Sequence, residues 1–292
     1  MKKVIFIVAV VITGFISFFL SCDKIEKPYR VEEVVLECDT PSFPALTAND
    51  ILQKILLEDY TAHKCPNCPA AQTEANDLKT KMGDTLVLMA VHVGTLASTE
   101  AAGDCTFSTD FRTEAGNAYL EQFKTTQLPT GLINRRMYGT KYTSGYSNWK
   151  TILDTTTRKT PSIGIQIIPV NNNIAADDMC VFIKTSLFSD VSNNLRLCVL
   201  MTENKIIAPQ LTSSSTEPKI CDYEHNHVLR KALSPAWGHD LTIGKTGDSQ
   251  IKGYSVSFSG VTWKKENCDI IAFVYDKDTY EVLQVEEIKL VE

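Results

Sequence analysis

The chain has 292 residues, of which 43% are hydrophobic and 22% are charged, with a formal net charge of −6. This apolar content excludes an intrinsically disordered chain, and the acidic balance offers no basic surface for nucleic acid, so we expect no nucleic-acid partner. The length fits one large or two ordinary domains. The nine cysteines are the unusual feature, because they are too many to ignore and too few for a scaffold held by disulfides alone.

The N-terminus has the form of a bacterial lipoprotein signal. Residues 1–3 are basic at two positions and residues 4–20 are almost wholly apolar, which predicts a signal peptide over residues 1–21. Leu20-Ser21-Cys22 resembles a lipobox, although Phe19 stands where leucine is usual. The resemblance implies cleavage before Cys22 and attachment of acyl chains such as palmitate to it, which would tether the protein to the membrane. An uncleaved anchor and plain secretion remain alternatives.

Export would place the remaining eight cysteines where disulfides persist. Their spacing cannot pair them. Because Cys180 and Cys198 lie on neighbouring predicted strands, they could form one disulfide, and Cys221 and Cys268 could form another. The eight are Cys38, Cys65, Cys68, Cys105, Cys180, Cys198, Cys221 and Cys268.

The first half of the mature chain alternates predicted strands and helices. After a tether over residues 22–47, which includes a predicted strand at 31–38, residues 48–160 form an α/β domain. A loop rich in Gly, Ser, Thr and Ala is inserted at residues 94–112. The predicted strands are 51–60, 85–93 and 131–137, and the predicted helices are 65–82, 111–123 and 146–158.

The second half, residues 161–292, consists mainly of short β-rich runs joined by Asn- or Asp-rich turns. This pattern predicts an antiparallel β-sandwich domain. A long stretch at roughly 205–252 has no clear periodicity and is predicted to be irregular. The predicted strands are 162–169, 180–188, 195–202, 254–258, 270–275 and 281–290.

Cys65-Pro66-Asn67-Cys68 lies between a predicted buried strand and a predicted helix. Two thiols at this spacing can close a small disulfide, and the N–H groups of a helix N-terminus stabilise a thiolate. Half of a zinc site is an alternative, but no second pair of ligands stands at a suitable spacing. A fixed structural disulfide is the other alternative.

Residues 56–68, Leu-Leu-Glu-Asp-Tyr-Thr-Ala-His-Lys-Cys-Pro-Asn-Cys, are similar to the active-site strand and helix of thioredoxin-like proteins. That superfamily has a buried acid six residues before the first cysteine, where this chain has Asp59. It also has a cis-proline followed by threonine, and Leu128-Pro129-Thr130 matches this pattern. The departures are Lys64 in place of an aromatic residue, and the long loop at 94–112.

A second resemblance covers most of the mature chain. The resemblance rests on the segment at 56–68, on Leu132-Ile133-Asn134-Arg135 and on the His225–Arg230 segment. The chain resembles the 28-kDa outer-membrane lipoprotein (Omp) family of Bacteroidota-type bacteria. That family has a thioredoxin-like half and a β-rich half. The resemblance implies an outer-membrane, lipid-anchored localisation in the cell envelope, and surface-antigen or adhesin-type roles are described for the family.

The predicted catalytic residues are Cys65, Cys68, Asp59 and Pro129. Cys65 would be the exposed attacking thiolate, Cys68 would resolve the mixed disulfide, and Asp59 would take the proton of Cys68. Pro129, if cis, would present backbone to the substrate chain and keep metals off the dithiol. Asp59 could instead be a solvated carboxylate at a strand end. The substrates would be thiols or disulfides of exported proteins, and the oligomeric state stays open.

The other candidate sites have weaker patterns. His225 and His227, with His239 as a further ligand, invite a metal interpretation, but an ordered loop is favoured because no firm ligand spacing completes a site. Gly244-Lys245-Thr246 lacks the spacing of a phosphate loop. We therefore expect no metal and no cofactor, and His63 is expected to be a solvated loop residue. A non-catalytic binding lipoprotein, with the thioredoxin-like half as scaffold, is the alternative function.

Overall fold

The computed structural model describes residues 38–125, 127–156, 159–171, 177–192 and 194–291. The helices of this part are α1 (Cys68–Met82), α2 (Glu114–Phe123) and α3 (Trp149–Thr155). The strands are β1 (Ile55–Thr61), β2 (Leu86–His92), β3 (Thr130–Ile133), β4 (Ile163–Asn171), β5 (Asp178–Leu187), β6 (Leu195–Glu203), β7 (Ile206–Leu211), β8 (Lys219–His225), β9 (Val228–Ala232), β10 (His239–Asp240), β11 (Ser249–Ser257), β12 (Cys268–Asp276) and β13 (Val282–Lys289). The chain is thus mixed α/β and rich in strands.

One eight-stranded sheet organises these elements. Its strand order is β13-β12-β6-β9-β2-β1-β3, and β10 pairs with β6 at one side. β1 and β2 are parallel, and β3 is antiparallel to β1. All seven residues of β1 are buried, which is typical of a strand covered on both faces.

Helices cover the two faces of the first-half strands. α1 packs Ala71, Ala75 and Leu78 against Ile55 and Leu57 of β1. α2 lies on the opposite face, where its residues Tyr119 and Phe123 join the hydrophobic cluster that contains Leu56 and Val87. Successive residues of β1 therefore point alternately to α1 and to α2.

The β-rich second half packs two sheets face to face, but one of them is shared with the first half. The three-stranded sheet β11-β5-β4 covers one face of β6 and β12, as in a sandwich. β6 and β12 themselves extend the sheet that contains β1 and β2. The reason lies in their apolar character on both faces: Val199 points to the three-stranded sheet, whereas Leu200 joins the cluster around α2. A self-contained sandwich following the first half is therefore not what the structure shows, and the predicted domain bounds stay predictions.

The stretch at 205–252 is not irregular, contrary to expectation. It contains β7, β8, β9, β10 and the beginning of β11. These strands are short, and among the described strands β7 and β8 pair only with each other. β9 inserts between β2 and β6 and is parallel to β2. Long-range pairing of this kind leaves little periodic pattern in the local sequence.

The described end of the predicted tether is packed rather than free. Cys38 forms a disulfide with Cys180 of β5, and Gln166 Nε2 donates a hydrogen bond of 3.0 Å to the Pro44 carbonyl. The signal peptide, Cys22 and the predicted strand at 31–38, apart from Cys38, lie outside the described residues. No helix in the described part of the chain has the length and apolarity needed to cross a bilayer.

The disulfides differ from the expected pairs. The structure pairs Cys38 with Cys180, Cys65 with Cys68 and Cys105 with Cys221. Cys198 and Cys268 are buried free thiols, so the pairs Cys180–Cys198 and Cys221–Cys268 are wrong. Cys198 points into the cluster around α2, and the three-stranded sheet that carries Cys180 lies on the other face of β6.

Candidate functional site

The cysteine pair closes the turn between β1 and α1. The Cys65 N–H donates to the Ala62 carbonyl at 3.0 Å, and the Cys68 N–H donates to the Cys65 carbonyl at 3.2 Å. Cys65 and Cys68 are joined by a disulfide. α1 begins at Cys68, three residues later than predicted, and Pro69 stands in its first turn, where a missing N–H costs nothing.

Both sulfur-bearing side chains are buried. Cys65 and Cys68 are each 2% exposed. They form a small apolar cluster with Ala62 and Ala97, against which Leu128 packs. The expectation that Cys65 is an exposed thiol is therefore wrong for this structure, because other segments of the chain lie over the pair.

Asp59 lies on the same side of β1 as α1. It shares this side with Leu57, and it pairs in register with Ala90 of β2 and Gly131 of β3. Its side chain is buried at 6% exposure, and burial raises its pKa to about 7. One carboxyl oxygen, Oδ1, has no hydrogen-bond partner among the described residues. The alternative of a solvated carboxylate is therefore excluded.

The Leu128–Pro129 peptide bond is cis and leads directly into β3. Leu128 contacts the cluster that contains both cysteines, so the proline turn lies beside the pair. Pro129 is half-buried. Asp59, the cysteine pair and the cis-proline turn thus lie on neighbouring segments at one end of β1.

A buried ion pair, which sequence reasoning missed, fixes the strand on the opposite face. Arg135 Nε and Nη2 each donate to the Glu58 carboxylate at 2.7 Å, and both side chains are fully buried. The guanidinium lies 4.3 Å from the ring centre of Tyr119 and 4.8 Å from that of Phe273. Burial acts to lower the pKa of Arg135, but the charge and hydrogen bonds of Glu58 hold that pKa well above its usual value. The sequence placed Arg135 inside the predicted strand 131–137 and gave no indication of its partner Glu58.

The histidines are more buried than expected. His63 is 1% exposed, with its ring stacked on Phe107 at 5.0 Å between centres, so it is not a solvated loop residue. The His92 and His225 rings lie 5.6 Å apart and both contact Phe111. Burial lowers the pKa of His225 to about 4 and that of His92 well below its usual value, which keeps both rings neutral at pH 7.

The geometry does not gather the histidines of the metal interpretation. His239 has its ring 6.0 Å from that of Tyr254 in the second half, whereas His225 contacts Phe111 and His92. Across the described ranges, no three His, Cys, Asp or Glu side chains form a group that could hold a metal ion.

Several solved structures resemble this chain, among them the following three. HBP35 of Porphyromonas gingivalis is 17% identical, with a TM-score of 0.59 over 82% of this chain and 76% of that one. A domain of the outer membrane lipoprotein Omp28 from Porphyromonas gingivalis is 23% identical, with a TM-score of 0.32 over 44% of this chain and 88% of that one. A protein of Agrobacterium tumefaciens is 12% identical, with a TM-score of 0.47 over 82% and 96%. The first likeness shows a shared fold. No curated protein matches the chain.

The family model described as "Outer membrane protein Omp28" matches residues 116–292, which are more than half of the sequence. This match covers the Leu132–Arg135 and His225–Arg230 segments, on which the family resemblance partly rested. It confirms the outer-membrane localisation expected from the sequence. The chain belongs to the Omp28 outer membrane protein family.

Proposed function

We propose that this protein is a lipid-anchored thiol–disulfide oxidoreductase or isomerase that acts on cysteines of exported proteins. The observation that carries the proposal is the meeting of three features at one end of β1: the Cys65–Cys68 pair, the buried Asp59 and the cis-Pro129. The order and direction of β1, α1, β2 and β3 support a thioredoxin-like assignment for this half. The anchor at Cys22 belongs to the same proposal.

The chemistry follows from the two thiols of the reduced form. The Cys65 thiolate attacks one sulfur of a substrate disulfide, so that a mixed disulfide forms and one substrate thiolate leaves. The Cys68 thiolate then attacks the Cys65 sulfur, which closes the Cys65–Cys68 disulfide and releases the second substrate thiolate. The substrate is reduced by two electrons and the protein is oxidised by two. Run backwards, the same steps oxidise a substrate dithiol.

Asp59 is suited to the proton transfer in the second step. A carboxyl group with a pKa of about 7 is divided between its two protonation states near neutral pH. It can therefore accept the Cys68 proton as that thiol attacks, and release it later. The missing hydrogen-bond partner at Oδ1 leaves one oxygen without a competing donor.

One observation favours the alternative of a non-catalytic binding lipoprotein. The two cysteines are 2% exposed, as a fixed structural disulfide would be. In that case the cysteine pair holds the β1–α1 turn, and another surface of the protein binds the partner.

The Cys68→Ser variant separates these functions, because it retains the attacking thiol and removes the resolving one. After treatment of the full mature chain with glutathione disulfide, mass spectrometry should find a stable mixed disulfide at Cys65. The matched control is Cys65→Ser, in which Cys68 should stay unmodified. Burial raises the pKa values of Cys198 and Cys268 to about 12, so these thiols should not compete. The catalytic function would be rejected if Cys68→Ser formed no adduct at Cys65, both with the Cys105–Cys221 disulfide intact and with Cys105 and Cys221 replaced by serine.

A further inference from the structure

Two segments outside the β1–α1 turn close over the cysteine pair. The first is the loop at residues 94–112, between β2 and α2. The second is the hairpin formed by β7 and β8, residues 206–225. We call these the cover loop and the cover hairpin.

The cover hairpin makes direct hydrogen bonds to the turn that carries the cysteines. Gln210 Nε2 donates to the Cys65 carbonyl at 3.0 Å, and the Leu211 N–H donates to the His63 carbonyl at 2.8 Å. The Tyr223 hydroxyl donates to Gln72 Oε1 of α1 at 2.8 Å. Gln210 is buried at 2% exposure, so it fills the space beside the pair.

The cover loop lies against the same turn. The Lys64 N–H donates to the Leu96 carbonyl at 3.1 Å, and Lys64 Nζ donates to Ser98 Oγ at 2.8 Å. Phe107 stacks on His63, and Lys219 Nζ of the cover hairpin lies 4.3 Å from the centre of the Phe107 ring. The two covering segments thus touch each other as well as the site.

A single disulfide, Cys105–Cys221, joins the cover loop to the cover hairpin. Its position differs from that of the catalytic pair: Cys221 is exposed and Cys105 is half-buried, whereas Cys65 and Cys68 are each 2% exposed. Thiol–disulfide exchange requires access of the attacking thiolate to a sulfur, so a reductant in solution meets Cys105–Cys221 first.

The cover hairpin is a small sheet of its own in the described part of the chain. In the part of the chain that the structure describes, β7 and β8 form their own two-stranded sheet and pair with no strand of the larger sheets. An isolated two-stranded hairpin is marginally stable in water. Without the crosslink, side-chain packing and a few hydrogen bonds hold it over the site.

We propose that the Cys105–Cys221 disulfide is a redox latch that keeps the Cys65–Cys68 site closed. The inference rests on the proposed function and adds its regulation. Two molecules of a small thiol such as glutathione reduce the latch: each of Cys105 and Cys221 becomes a thiol, and the two reductant molecules leave as one disulfide. The cover hairpin then opens, and the Cys65–Cys68 pair becomes accessible to protein substrates.

Reduction kinetics of the full mature chain test the latch. The protein is treated with glutathione, quenched with an alkylating agent at intervals and mapped by mass spectrometry. In the unaltered protein, Cys105–Cys221 should be reduced first and Cys65–Cys68 after a lag. In Cys105→Ser/Cys221→Ser the lag should vanish and Cys65–Cys68 should be reduced at least about 10-fold faster, because loss of a crosslink raises the population of the open form.

Two further variants distinguish opening of the latch from a general loss of folding. Cys38→Ser/Cys180→Ser removes a different disulfide and should keep the lag. Gln210→Leu keeps all cysteines, removes the bond to the Cys65 carbonyl and should shorten the lag. Equal, non-zero reduction rates of Cys65–Cys68 in all four proteins would overturn the latch and leave the proposed function standing. If Cys65–Cys68 is reduced in none of them, the proposed function fails and the latch fails with it.

Discussion

The buried carboxyl group of Asp59 gives the sharpest prediction, because its protonation is linked to folding. Its pKa is raised from 3.8 to about 7 by burial. An unfolded chain releases this proton near pH 3.8, whereas the folded protein holds it up to about pH 7. Stability contributed by the protonated group is therefore complete below the unfolded pKa and is lost as the pH rises toward the folded one.

The size of the effect follows from the pKa difference. Each pKa unit corresponds to about 1.36 kcal/mol, so the shift from 3.8 to about 7 corresponds to about 4 kcal/mol. This is large beside the total stability of a domain, about 5–15 kcal/mol. Asp59→Asn removes the titration and keeps the shape. Any loss in the free energy of unfolding that the buried asparagine amide causes is the same at every pH.

The assay is urea unfolding of the unaltered protein and of Asp59→Asn at a series of pH values from 4 to 8.5, with all disulfides intact. The contributions of the other titrating groups cancel in the difference between the two free energies of unfolding. That difference should move in favour of Asp59→Asn by about 4 kcal/mol between pH 4 and pH 8. A difference that stays constant over this range would refute the assignment of Asp59 as a buried acid with a raised pKa.

Three further comparisons of variants test the packing of the fold. Arg135→Met leaves the Glu58 carboxylate buried without its partner and should cost about 3–5 kcal/mol in the free energy of unfolding, whereas Glu58→Gln/Arg135→Met should recover much of this loss; equal losses would contradict the ion-pair account. Gly238 has φ +69°, and a Cβ there would lie 2.3 Å from the Leu197 carbonyl oxygen, whereas Gly247 has φ +89° and open space. Gly238→Ala should therefore lower thermal stability by about 1–3 kcal/mol more than Gly247→Ala, and equal losses would show that the close approach is unimportant. Cys38→Ser/Cys180→Ser opens a crosslink between residues 142 apart and should cost about 2–5 kcal/mol by denaturant unfolding; an unchanged midpoint would show that the described tether segment adds no stability.

The central residues of the site could be read from the sequence because each has a local pattern. Cys65 and Cys68 stand between an apolar strand and a helix with prolines in its first turn, and the resemblance to thioredoxin-like proteins supplied Asp59 and Pro129. The strands and helices of residues 55–133 follow from the same apolar periodicity. Burial of Asp59 needed the structure, since it depends on α1 covering that side of β1.

The sequence could not predict that the cover loop and the cover hairpin close over the site, because this arrangement depends on long-range contacts. The cover hairpin consists of two short strands that pair with no other strand of the described ranges, and Pro209 interrupts the first of them. Cys105 and Cys221 are 116 residues apart, so spacing gives no indication of their disulfide. The burial of His63 likewise depends on Phe107 and Phe111, which reach it from the cover loop.

Local sequence patterns also could not predict that strands of the two halves form one sheet. β6 and β12 read as ordinary sandwich strands, yet both of their faces are apolar. This character lets β6 border β9, and β12 border β6, in the large sheet while the three-stranded sheet covers one face of both strands.

The measurement that tests the account most directly is the redox state of the Cys65–Cys68 pair in glutathione buffers of graded ratio. The full mature chain is equilibrated for hours, quenched by alkylation and mapped by mass spectrometry. The account predicts that this pair passes reversibly between disulfide and dithiol, and that Cys65 is alkylated while Cys68 is protected after mild reduction. A Cys65–Cys68 disulfide that exchanges with glutathione at no ratio, even after Cys105–Cys221 has been reduced, would contradict the central claim.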